Sequence, residues 1–570
     1  MILDARDLPD RSELRADVCV VGAGPVGLAA ALALAAGGLD VVQLDSGGPE
    51  HDPAADALGE PASIEFGTVT RLGHTRRIGG NAHAWQVRTG LTHRGVRMIP
   101  LQGAELDSWP GDPGGGWPVG GDELARYLAR AQAWLGLPAR DYDAASWAGA
   151  DTDQVVRDPA VRSAVFQFAD GGRLAADAVR LATESSVRLA HHATAAEILT
   201  TPDGARATGV RAVSLPGREL TVRADHVVLA AGAMATTQLL LASDAARSGG
   251  LGNTTDQLGR HLMDHLLLQG GELWPADPGD IARRTLYDLR LVAGTPVMGH
   301  LALTDEVVRA EGLAALSLLL YPREADYLRR RSTSTRQQDG VRGALAIREA
   351  VLRRNRPPRG TVRQAVVGLD GVLRRAVGGG LHPESSLGRG GWSAGDLHRL
   401  VCFEVLHQAE QGPHPDNRVT LTDRLDALGQ RRIAIDWRWH DGDVDAVRRA
   451  QDVYVRALAR NGWGQLRPWL VDGRPVVRSS SSHHFMGTTR MSTDPRHGVV
   501  DADCAVHGTP NLLVASSSTF PRGGYANVTL TALALGLRVA DRVLRATGAV
   551  PASGPAPVPA HDPAPAGGRP

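Results

Sequence analysis

The sequence predicts a chain of two architectures, α/β plus α+β, in which a Rossmann-like domain is interrupted by a domain built on an antiparallel sheet. Three observations support this. A glycine-rich turn separates a short apolar strand from an Ala/Leu-rich helix near the start of the chain, and strand-and-helix character returns over residues 476–546. Residues 266–475 instead alternate strand-like runs with arginine-rich segments. We therefore expect a discontinuous domain of residues 12–265 and 476–546, an inserted domain of residues 266–475, and a disordered Ala/Pro-rich tail over residues 547–570.

The first predicted element is a βαβ unit. Residues 17–21 (DVCVV) are typical of a short buried strand, residues 22–27 of a turn and residues 28–36 of a helix. Residues 39–44 then form a second strand, which ends at Asp45. This order predicts the opening of a doubly wound sheet.

The turn in this unit reads G-A-G-P-V-G and contains Gly22, Gly24 and Gly27. The first glycine permits the tight turn, the second lets the backbone approach a pyrophosphate, and the third lets the helix pack close to the strand. Asp45 lies where an acidic side chain would bind ribose hydroxyls. The fingerprint predicts a dinucleotide site, although by itself it does not distinguish FAD from NAD. No second fingerprint follows a strand-like run, which favours FAD.

The elements that follow are less regular. Residues 46–120 are rich in Gly, Pro, Trp and His with little periodicity, and such a long irregular stretch is usually functional or covering structure. Residues 122–135 are predicted to be a helix. Residues 226–232 repeat the strand-then-glycine pattern, and a helix follows over residues 234–243.

A second glycine pair, Gly79 and Gly80, precedes Asn81 in the stretch R-R-I-G-G-N-A-H-A-W. Adjacent glycines suit a close backbone approach to a flat ring or a phosphate. The alternative is an ordinary glycine loop without a ligand.

The bulk composition excludes several classes of function. The 570 residues contain 62 Lys+Arg and 62 Asp+Glu, so zero formal charge gives no electrostatic reason to expect nucleic acid or an anionic membrane as a partner. All the positive charge is arginine. Without lysine, Schiff-base chemistry and a P-loop lysine are excluded.

The cysteines and the N-terminus favour a cytoplasmic protein. Cys19, Cys402 and Cys504 are too widely separated for a disulfide framework or a Cys-x-x-Cys metal site. The first 15 residues are polar and acidic, unlike a signal peptide. The longest apolar run, residues 26–36, is too short for a membrane span of about 20 residues.

The C-terminal part of the chain contains the most specific pattern. It reads S-H-H-F-M-G-T-T-R-M, then N-L-L-V-A-S-S-S-T-F-P, then G-G-Y-A-N-V-T-L-T. Together with the glycine fingerprint, the G-G-N-A-H-A-W loop, V-V-L-A-A-G-A-M, L-G-R-H-L-M-D-H and P-D-N-R-V-T-L, this chain resembles the glucose-methanol-choline (GMC) oxidoreductase family, and within it the pyranose 2-oxidase-like branch. The resemblance spans most of residues 17–546.

The resemblance implies an FAD-binding domain joined to a substrate-binding domain with an antiparallel sheet. It also implies alcohol oxidation, in which a histidine removes the hydroxyl proton while hydride passes to flavin N5. The family pattern H-x-x-G-T-x-x-M places that histidine at His484 and its partner at Asn527. Residue chemistry agrees, because imidazole has a pKa near neutral and a neutral amide can hold the alcohol oxygen. The positive end of the apolar helix predicted over residues 528–543 would favour the anionic reduced flavin if it points at the ring.

His483 competes with His484 for this role. Adjacent residues on a strand face opposite sides, so we expect only one of them at the site. The spacing to Gly487 and Thr488 selects His484, and His483 is interpreted as a packing neighbour.

The resemblance and the residue patterns together give a set of predicted site residues. The cofactor-binding set is Gly22, Gly24, Gly27, Asp45, Gly79, Gly80, Asn81, Ala231, Gly232, Ser516, Ser517, Asn527 and Val528. Gln408 and Gln411 are predicted to bind the substrate.

Two departures from the family qualify these expectations. Some sugar oxidases of this branch bind FAD covalently through a histidine directly before the loop tryptophan, but here that position is Ala84 and His83 is one residue earlier. We predict non-covalent FAD, with attachment through His83 as the alternative. Ser516 stands where the family commonly has Asp, so one polar cofactor contact is replaced or missing.

No metal is predicted. His261 and His265 lie four residues apart and would share one face of a helix, as metal ligands do, but no third ligand is evident.

The predicted function is FAD-dependent oxidation of an alcohol on a sugar, glycoside or amino sugar, with oxygen or another compound as electron acceptor. A non-sugar alcohol oxidase or dehydrogenase is the alternative within the same chemistry. A flavin monooxygenase or halogenase using NAD(P)H is the alternative in another class, and it would leave His484 and Asn527 without a use. A flavoprotein that has lost catalysis would first have lost the base or the phosphate glycines, and both are present.

Overall fold

The fold was analysed in a computed structural model of the chain. It describes residues 1–66, 73–85, 87–88, 94–149, 155–156, 158–215, 217–277, 279, 284–324, 336, 340–341, 343–344, 346–348, 350–351, 356–357, 360–376, 400–479 and 482–550. Most of the predicted Ala/Pro-rich tail, residues 551–570, lies outside the described residues.

The strands and helices of the described residues are as follows. The strands are β1 (Ile2–Asp4), β2 (Ser12–Val21), β3 (Val41–Leu44), β4 (Ser63–Phe66), β5 (Val87–Arg88), β6 (Arg94–Met98), β7 (Val161–Asp170), β8 (Arg188–His191), β9 (Thr194–Thr200), β10 (Ala207–Leu215), β11 (Arg218–Leu229), β12 (Leu266–Pro275), β13 (Leu289–Val292), β14 (Thr295–Leu303), β15 (Ser317–Glu324), β16 (Leu400–Ala409), β17 (Arg418–Leu425), β18 (Arg431–Trp437), β19 (Gly464–Arg467), β20 (Leu470–Val471), β21 (Arg474–Ser479), β22 (Ala505–Val506) and β23 (Thr509–Val514). The α-helices are α1 (Pro25–Ala36), α2 (Pro53–Ala57), α3 (Gly121–Trp134), α4 (Ala145–Ala148), α5 (Gly171–Glu184), α6 (Gly232–Ala242), α7 (Asp305–Glu311), α8 (Thr361–Val367), α9 (Leu369–Ala376), α10 (Asp441–Arg460) and α11 (Thr529–Ala546). Short 3-10 helices are Gly80–Ala84, Gly103–Leu106, Thr285–Tyr287 and Ser517–Thr519.

The first sheet is Rossmann-like. Its parallel strands lie in the order β1, β8, β3, β2, β11, β23. The first half of β11 also pairs antiparallel with β10, which in turn pairs with β9. The order of the parallel strands brings segments from both ends of the chain into one sheet.

Helix α1 is packed inside this domain because its residues are small and apolar along most of its length. Eight of its residues, Gly27 through Leu34, are buried. The helix packs against the C-terminal helix Thr529–Ala546, where a Cβ added to Gly536 would lie 2.7 Å from the side chain of Val26. The predicted βαβ unit is therefore present, with its second strand shortened to Val41–Leu44.

The second sheet is antiparallel and larger. Its strands lie in the order β20, β21, β12, β16, β15, β14, β7, β6, β5, with β13 and β19 on side branches. Strands β5, β6 and β7 come from the segment that the sequence assigned to the α/β domain. Strand β7 pairs antiparallel with β14 of the inserted segment, β6 pairs with β7 and β5 with β6, and such long-range register is a property that local patterns do not report. A small third sheet joins β17, β18 and β4.

The two large sheets are joined by a buried ion pair. The guanidinium of Arg522, from the loop before the C-terminal helix, donates to both carboxylate oxygens of Glu410 at 2.8 and 2.9 Å. Glu410 follows β16 directly and also accepts from the backbone of Gly524 and Ala315. These bonds fix the C-terminal loop against the antiparallel sheet.

Among the described residues, no helix combines the length and the apolarity that crossing a bilayer requires.

Candidate active site

A cavity of about 750 Å³ lies between the two sheets. Strands β2, β3, β11 and β23 of the parallel sheet end at one edge, where doubly wound folds bind ligands. Most of the predicted site residues line this cavity: Gly22, Gly24, Asp45, Gly80, Asn81, Ala231, Gly232, Gln408, His484, Ser516, Ser517, Asn527 and Val528. Gly27, Gly79 and Gln411 are not among its lining residues.

The glycine turn leaves open space where a dinucleotide would pass. A Cβ added to Gly24 would meet only the Cα of Gly80, at 3.9 Å, and one added to Gly232 would meet no heavy atom within 4 Å. Gly24 also precedes the N-terminus of α1, whose backbone N–H groups and dipole favour a phosphate. These residues fit a bound dinucleotide.

Gly27 and Gly79 fix the backbone around the glycine turn and do not line the cavity. A Cβ at Gly27 would lie 2.0 Å from the carbonyl oxygen of Gly22, so only glycine lets the helix pack on the turn. Gly79 has a φ of 94° and donates its N–H to Ala23 at 2.8 Å. The second glycine loop is thereby held against the first.

Asp45 has a structural role in the described contacts. Its carboxylate accepts N–H bonds from Ala23 at 2.7 Å and from Gly47 at 2.9 Å, which ties the glycine turn to the end of β3. Burial raises the pKa of the Asp45 carboxyl, and the two N–H bonds oppose this. The side chain lines the cavity, and ribose binding stays a prediction.

The loop that contains Asn81 and His83 is fixed by local hydrogen bonds. The Asn81 side-chain oxygen accepts from the N–H of Thr75 at 3.0 Å. The Nε2 atom of His83 lies 2.9 Å from the carbonyl oxygen of Ile78. Ala82 and Ala84 line the cavity on either side of His83, which is not among its lining residues.

Ser516 and Ser517 stand directly after β23. The Ser516 hydroxyl accepts the N–H of Ser518 at 3.2 Å, and the Ser517 hydroxyl donates to the carbonyl oxygen of Phe485 at 2.7 Å. The serine at the position where the family has Asp thus caps a 3-10 turn at the cavity edge. No cofactor contact follows from these bonds alone.

His484 lies at the centre of a chain of hydrogen bonds. Its Nδ1 atom is 2.9 Å from Nδ1 of His265, and its Nε2 atom is 2.8 Å from the amide nitrogen of Asn527. Nε2 of His265 lies 2.8 Å from the carbonyl oxygen of Gly524. A carbonyl only accepts, so His265 carries its proton on Nε2 and accepts at Nδ1.

This arrangement assigns the tautomer of His484. Because His265 accepts at Nδ1, His484 must donate from its own Nδ1, and its Nε2 then has a free lone pair. The amide of Asn527 points its nitrogen at that lone pair, since its oxygen accepts the N–H of Thr529 at 3.0 Å. The network therefore presents an unprotonated ring nitrogen to the cavity.

The main chain at His484 is held by Asp264. Its carboxylate is fully buried and accepts N–H bonds from His484 at 2.9 Å, Ser482 at 3.2 Å and His265 at 2.7 Å. The residue that precedes His265 thus positions both histidines of the pair.

Burial holds His484 in its neutral form. The pKa of His484 lies well below its ordinary value of 6.5, first because the ring is desolvated and then because of the charges on His265, His483 and Arg97. Burial likewise lowers the pKa of His265 to about 4. Both rings are therefore neutral at physiological pH, as the tautomer assignment requires.

The prediction that His483 and His484 lie on a strand and face opposite sides is wrong. The segment is a bend, His483 has a φ of 57°, and both rings line the cavity. The two differ in their partners: His484 binds Asn527 and His265, whereas His483 accepts the N–H of Gly73 at 3.3 Å.

Of the two predicted substrate residues, the structure brings only Gln408 to the cavity. Its amide nitrogen lies 3.4 Å from Nδ1 of His484. Gln411 is buried, accepts from the Trp437 indole at 2.7 Å and donates to the carbonyl of Arg438 at 2.8 Å. Gln411 thus links the segment after β16 to the end of β18 and does not line the cavity.

His265 is the functional residue that sequence reasoning missed. Its pairing with His261 as a metal motif does not occur, because His261 lies 3.2 Å from Gln257 while His265 binds His484. Its signal in the sequence was only the D-H dipeptide that ends L-G-R-H-L-M-D-H. The contact with His484 spans 219 residues and has no local signature.

Part of the chain is similar in sequence to known oxidases. A 6'''-hydroxyparomomycin C oxidase of Streptomyces lividus is 34% identical over 150 residues, which are 26% of this chain and 27% of that relative. A C-glycoside 3-oxidase of Arthrobacter globiformis is 33% identical over 145 residues, 25% of this chain and 26% of the relative. The chain therefore matches about a quarter of the length of each relative. A formate oxidase structure from Aspergillus oryzae RIB40 has a TM-score of 0.48 at 16% identity and covers 95% of this chain and 100% of its own.

Two family models, both described as GMC oxidoreductase, match the chain. The N-terminal model matches residues 166–267, which include β11 and the Asp264–His265 pair. The C-terminal model matches residues 413–536, which include His484 and Asn527. Both domains that these models describe as GMC oxidoreductase are therefore present in the chain, and residues matched by each of them line the same cavity.

Proposed function

We propose that this protein oxidises an alcohol group of a sugar, glycoside or amino sugar with FAD as its cofactor. The observation that supports the proposal most strongly is the hydrogen-bond chain that leaves Nε2 of His484 unprotonated in the cavity. Alcohol oxidation needs a group that accepts the hydroxyl proton, and a neutral buried imidazole with a fixed tautomer is such a group.

His484 and Asn527 would have different roles at the alcohol oxygen. The hydroxyl would donate its proton to Nε2 of His484 and accept a hydrogen bond from the amide nitrogen of Asn527. These two nitrogens are 2.8 Å apart, so they must separate to admit the oxygen between them. The amide stays neutral, and its N–H would stabilise the negative charge that develops on the oxygen.

FAD would be held without a covalent bond. The bound flavin supplies the acceptor for the hydride that leaves the alcohol carbon. Gly22, Gly24 and Gly232 border the space for it, and Asn81, Ser516 and Val528 line the same cavity. His83 favours non-covalent binding because its Nε2 atom is already close to the Ile78 carbonyl.

The relatives and Gln408 support the proposed class of substrate. The relatives are an oxidase of a hydroxyparomomycin and an oxidase of C-glycosides. Gln408 lies on β16 of the antiparallel sheet and lines the cavity beside His484. Its amide offers one donor group and one acceptor group to neighbouring hydroxyls. The electron acceptor is oxygen or another electron acceptor, such as a quinone, a dye or a protein.

An anaerobic titration tests this function. The flavin-loaded protein is mixed without oxygen with a panel of sugars, glycosides and simple alcohols, and separately with NADPH, while the flavin absorbance is followed. We expect one class of alcohol to bleach the flavin and NADPH to bleach it slowly or not at all. Rapid bleaching by NADPH, with none by any alcohol, would favour a monooxygenase or halogenase and overturn the proposal.

A further inference from the structure

Arg97 is a positive charge in the cavity wall that the proposed chemistry does not use. It lies on β6 and lines the cavity together with Gln408 and His484. Its NH1 atom is 3.5 Å from the side-chain oxygen of Gln408, whose nitrogen is 3.4 Å from His484. One amide therefore separates the guanidinium from the proposed base.

Among the described residues, no carboxylate lies within ion-pair distance of Arg97. Its Nε atom is buried without a hydrogen-bond partner. Its guanidinium carbon lies 5.8 Å from the centre of the Phe166 ring, which gives a weak contact. Charges in protein interiors are normally paired, so the partner of this group is expected to arrive with a ligand.

The carboxylate of Glu404 is already engaged by two other arginines. It is shared by Arg323, at 2.9 Å, and by Arg478, at 3.6 Å. The charges of Arg97, Arg323, Arg478 and Glu404 all act on the buried hydroxyl of Tyr321, which places Arg97 in the neighbourhood of this ion pair. Glu404 is therefore occupied by guanidinium groups other than that of Arg97.

We propose that Arg97 and Gln408 form a subsite for an anionic oxygen group of the substrate, the same molecule whose alcohol group is oxidised. The anionic group that fits this subsite best is a carboxylate. This inference rests on the proposed alcohol oxidation. It narrows the substrate class to sugar acids and acidic glycosides. Arginine pairs with a carboxylate through two parallel N–H bonds, and Arg97 has the unpaired N–H groups for this geometry. The same charge opposes the ammonium group of an amino sugar.

Matched ligand pairs test the subsite. The flavin-loaded protein is assayed anaerobically with glucuronate and glucose, galacturonate and galactose, and gluconate and sorbitol, with glucose 6-phosphate as the phosphate arm. We expect the acid of at least one pair to reduce the flavin about 10–100-fold more efficiently than its neutral match, the range of a charged hydrogen-bonded contact. Preference for glucose 6-phosphate over every carboxylate would assign the subsite to phosphate.

Substitutions at Arg97 complete this test. Arg97→Gln should bring the ratio of acid to neutral efficiency close to one, Arg97→Lys should retain part of it, and the control Arg162→Gln, on β7 and outside the cavity lining, should preserve it. Equal efficiencies within every pair, unchanged by Arg97→Gln, would overturn the proposal. It would also be wrong if Arg97→Gln slowed acids and neutral sugars alike and weakened sulfite addition to the flavin, because the guanidinium would then serve the flavin.

A binding measurement separates failure of the subsite from failure of the proposed oxidation. In a His484→Ala background, ligands are titrated against the flavin absorbance spectrum without turnover. Tighter binding of an acid than of its neutral match, lost on adding Arg97→Gln, supports the subsite even if no alcohol reduces the wild-type flavin. Equal dissociation constants contradict the subsite even if oxidation occurs.

Discussion

At the residue scale, the proposed role of His484 as a base depends on a neighbour, His265, that is not among the residues lining the cavity. His265 donates to a backbone carbonyl and so can only accept from His484. Without that acceptor, the proton of His484 is free to move to Nε2, where it blocks the lone pair that must take the hydroxyl proton. We regard His265 as a positioning residue.

Two substitutions of His265 separate positioning from packing. His265→Asn places a side-chain oxygen near the position of Nδ1 and keeps an acceptor, whereas His265→Leu removes it. We expect His265→Leu to lower the anaerobic rate of flavin reduction by roughly 10–100-fold, part of what a general base contributes, with little change in KM. His265→Asn should recover part of that rate. Equal losses in both variants would indicate a packing role instead.

The sequence indicated the two proposed reacting residues but not the residues that hold them in place. His484 and Asn527 follow from a short motif and a helix start, both of which are local patterns. His265 and Asp264 act across more than 200 residues of chain through a hydrogen bond and a buried carboxylate. Such contacts depend on how the two sheets meet, so no local pattern indicates them.

At the scale of elements, the strand, turn and helix near the N-terminus form the proposed cofactor cradle. The glycines within it have different reasons to be glycine. A Cβ at Gly24 points into open cavity, while a Cβ at Gly27 would lie 2.0 Å from a backbone oxygen. One position is reserved for a ligand, and the other for the packing of α1.

This difference predicts opposite outcomes for two small substitutions. Gly24→Ala should leave the free energy of unfolding of the apoprotein nearly unchanged and weaken flavin binding, because its methyl group enters the path of the pyrophosphate. Gly27→Ala should destabilise the apoprotein itself, since the backbone must shift. Urea unfolding of the apoproteins and flavin titration check both. Strong flavin binding by Gly24→Ala would contradict the cradle.

Element prediction succeeded where the pattern is local. The βαβ unit, the helix at Gly121–Trp134 and the C-terminal helix Thr529–Ala546 all form close to their predicted positions. The three strands β5, β6 and β7 were not assigned to the antiparallel sheet, because strand partners are chosen by long-range register. Arg97 was consequently not considered as a cavity residue.

At the scale of the whole molecule, buried titratable groups link stability to pH. Burial lowers the pKa of several histidines below the ordinary value of 6.5, namely His74, His261, His265, His300, His407 and His484. Burial raises the pKa of fewer carboxyl groups, namely Asp45, Glu105 and Asp443. The two sets act in opposite directions.

The balance between the histidines and the carboxyl groups predicts that the free energy of unfolding is greatest at a pH near 6.5, the ordinary pKa of histidine. The buried histidines bind protons more readily when unfolded, so their stabilisation is complete above that pH and is lost as the pH falls toward about 4, the folded pKa of His265. The carboxyl groups bind protons more readily when folded, so stability declines as the pH rises toward about 8, the folded pKa of Glu105. Urea unfolding midpoints of the apoprotein, measured at several pH values between about 4 and about 8, check this pH dependence. A midpoint that rises steadily across the whole range would contradict it.

The molecule as a whole brings a cofactor cradle from the first strands together with a proton acceptor from the last quarter of the chain. The measurement that tests this most directly is the anaerobic rate at which the best alcohol of the panel reduces the flavin in wild type, His484→Ala and the control His483→Ala. Our account predicts that His484→Ala keeps its bound flavin but is reduced about 10²–10⁴-fold more slowly, as expected for a missing general base, while His483→Ala keeps most of the rate. Reduction of His484→Ala at the wild-type rate would contradict it.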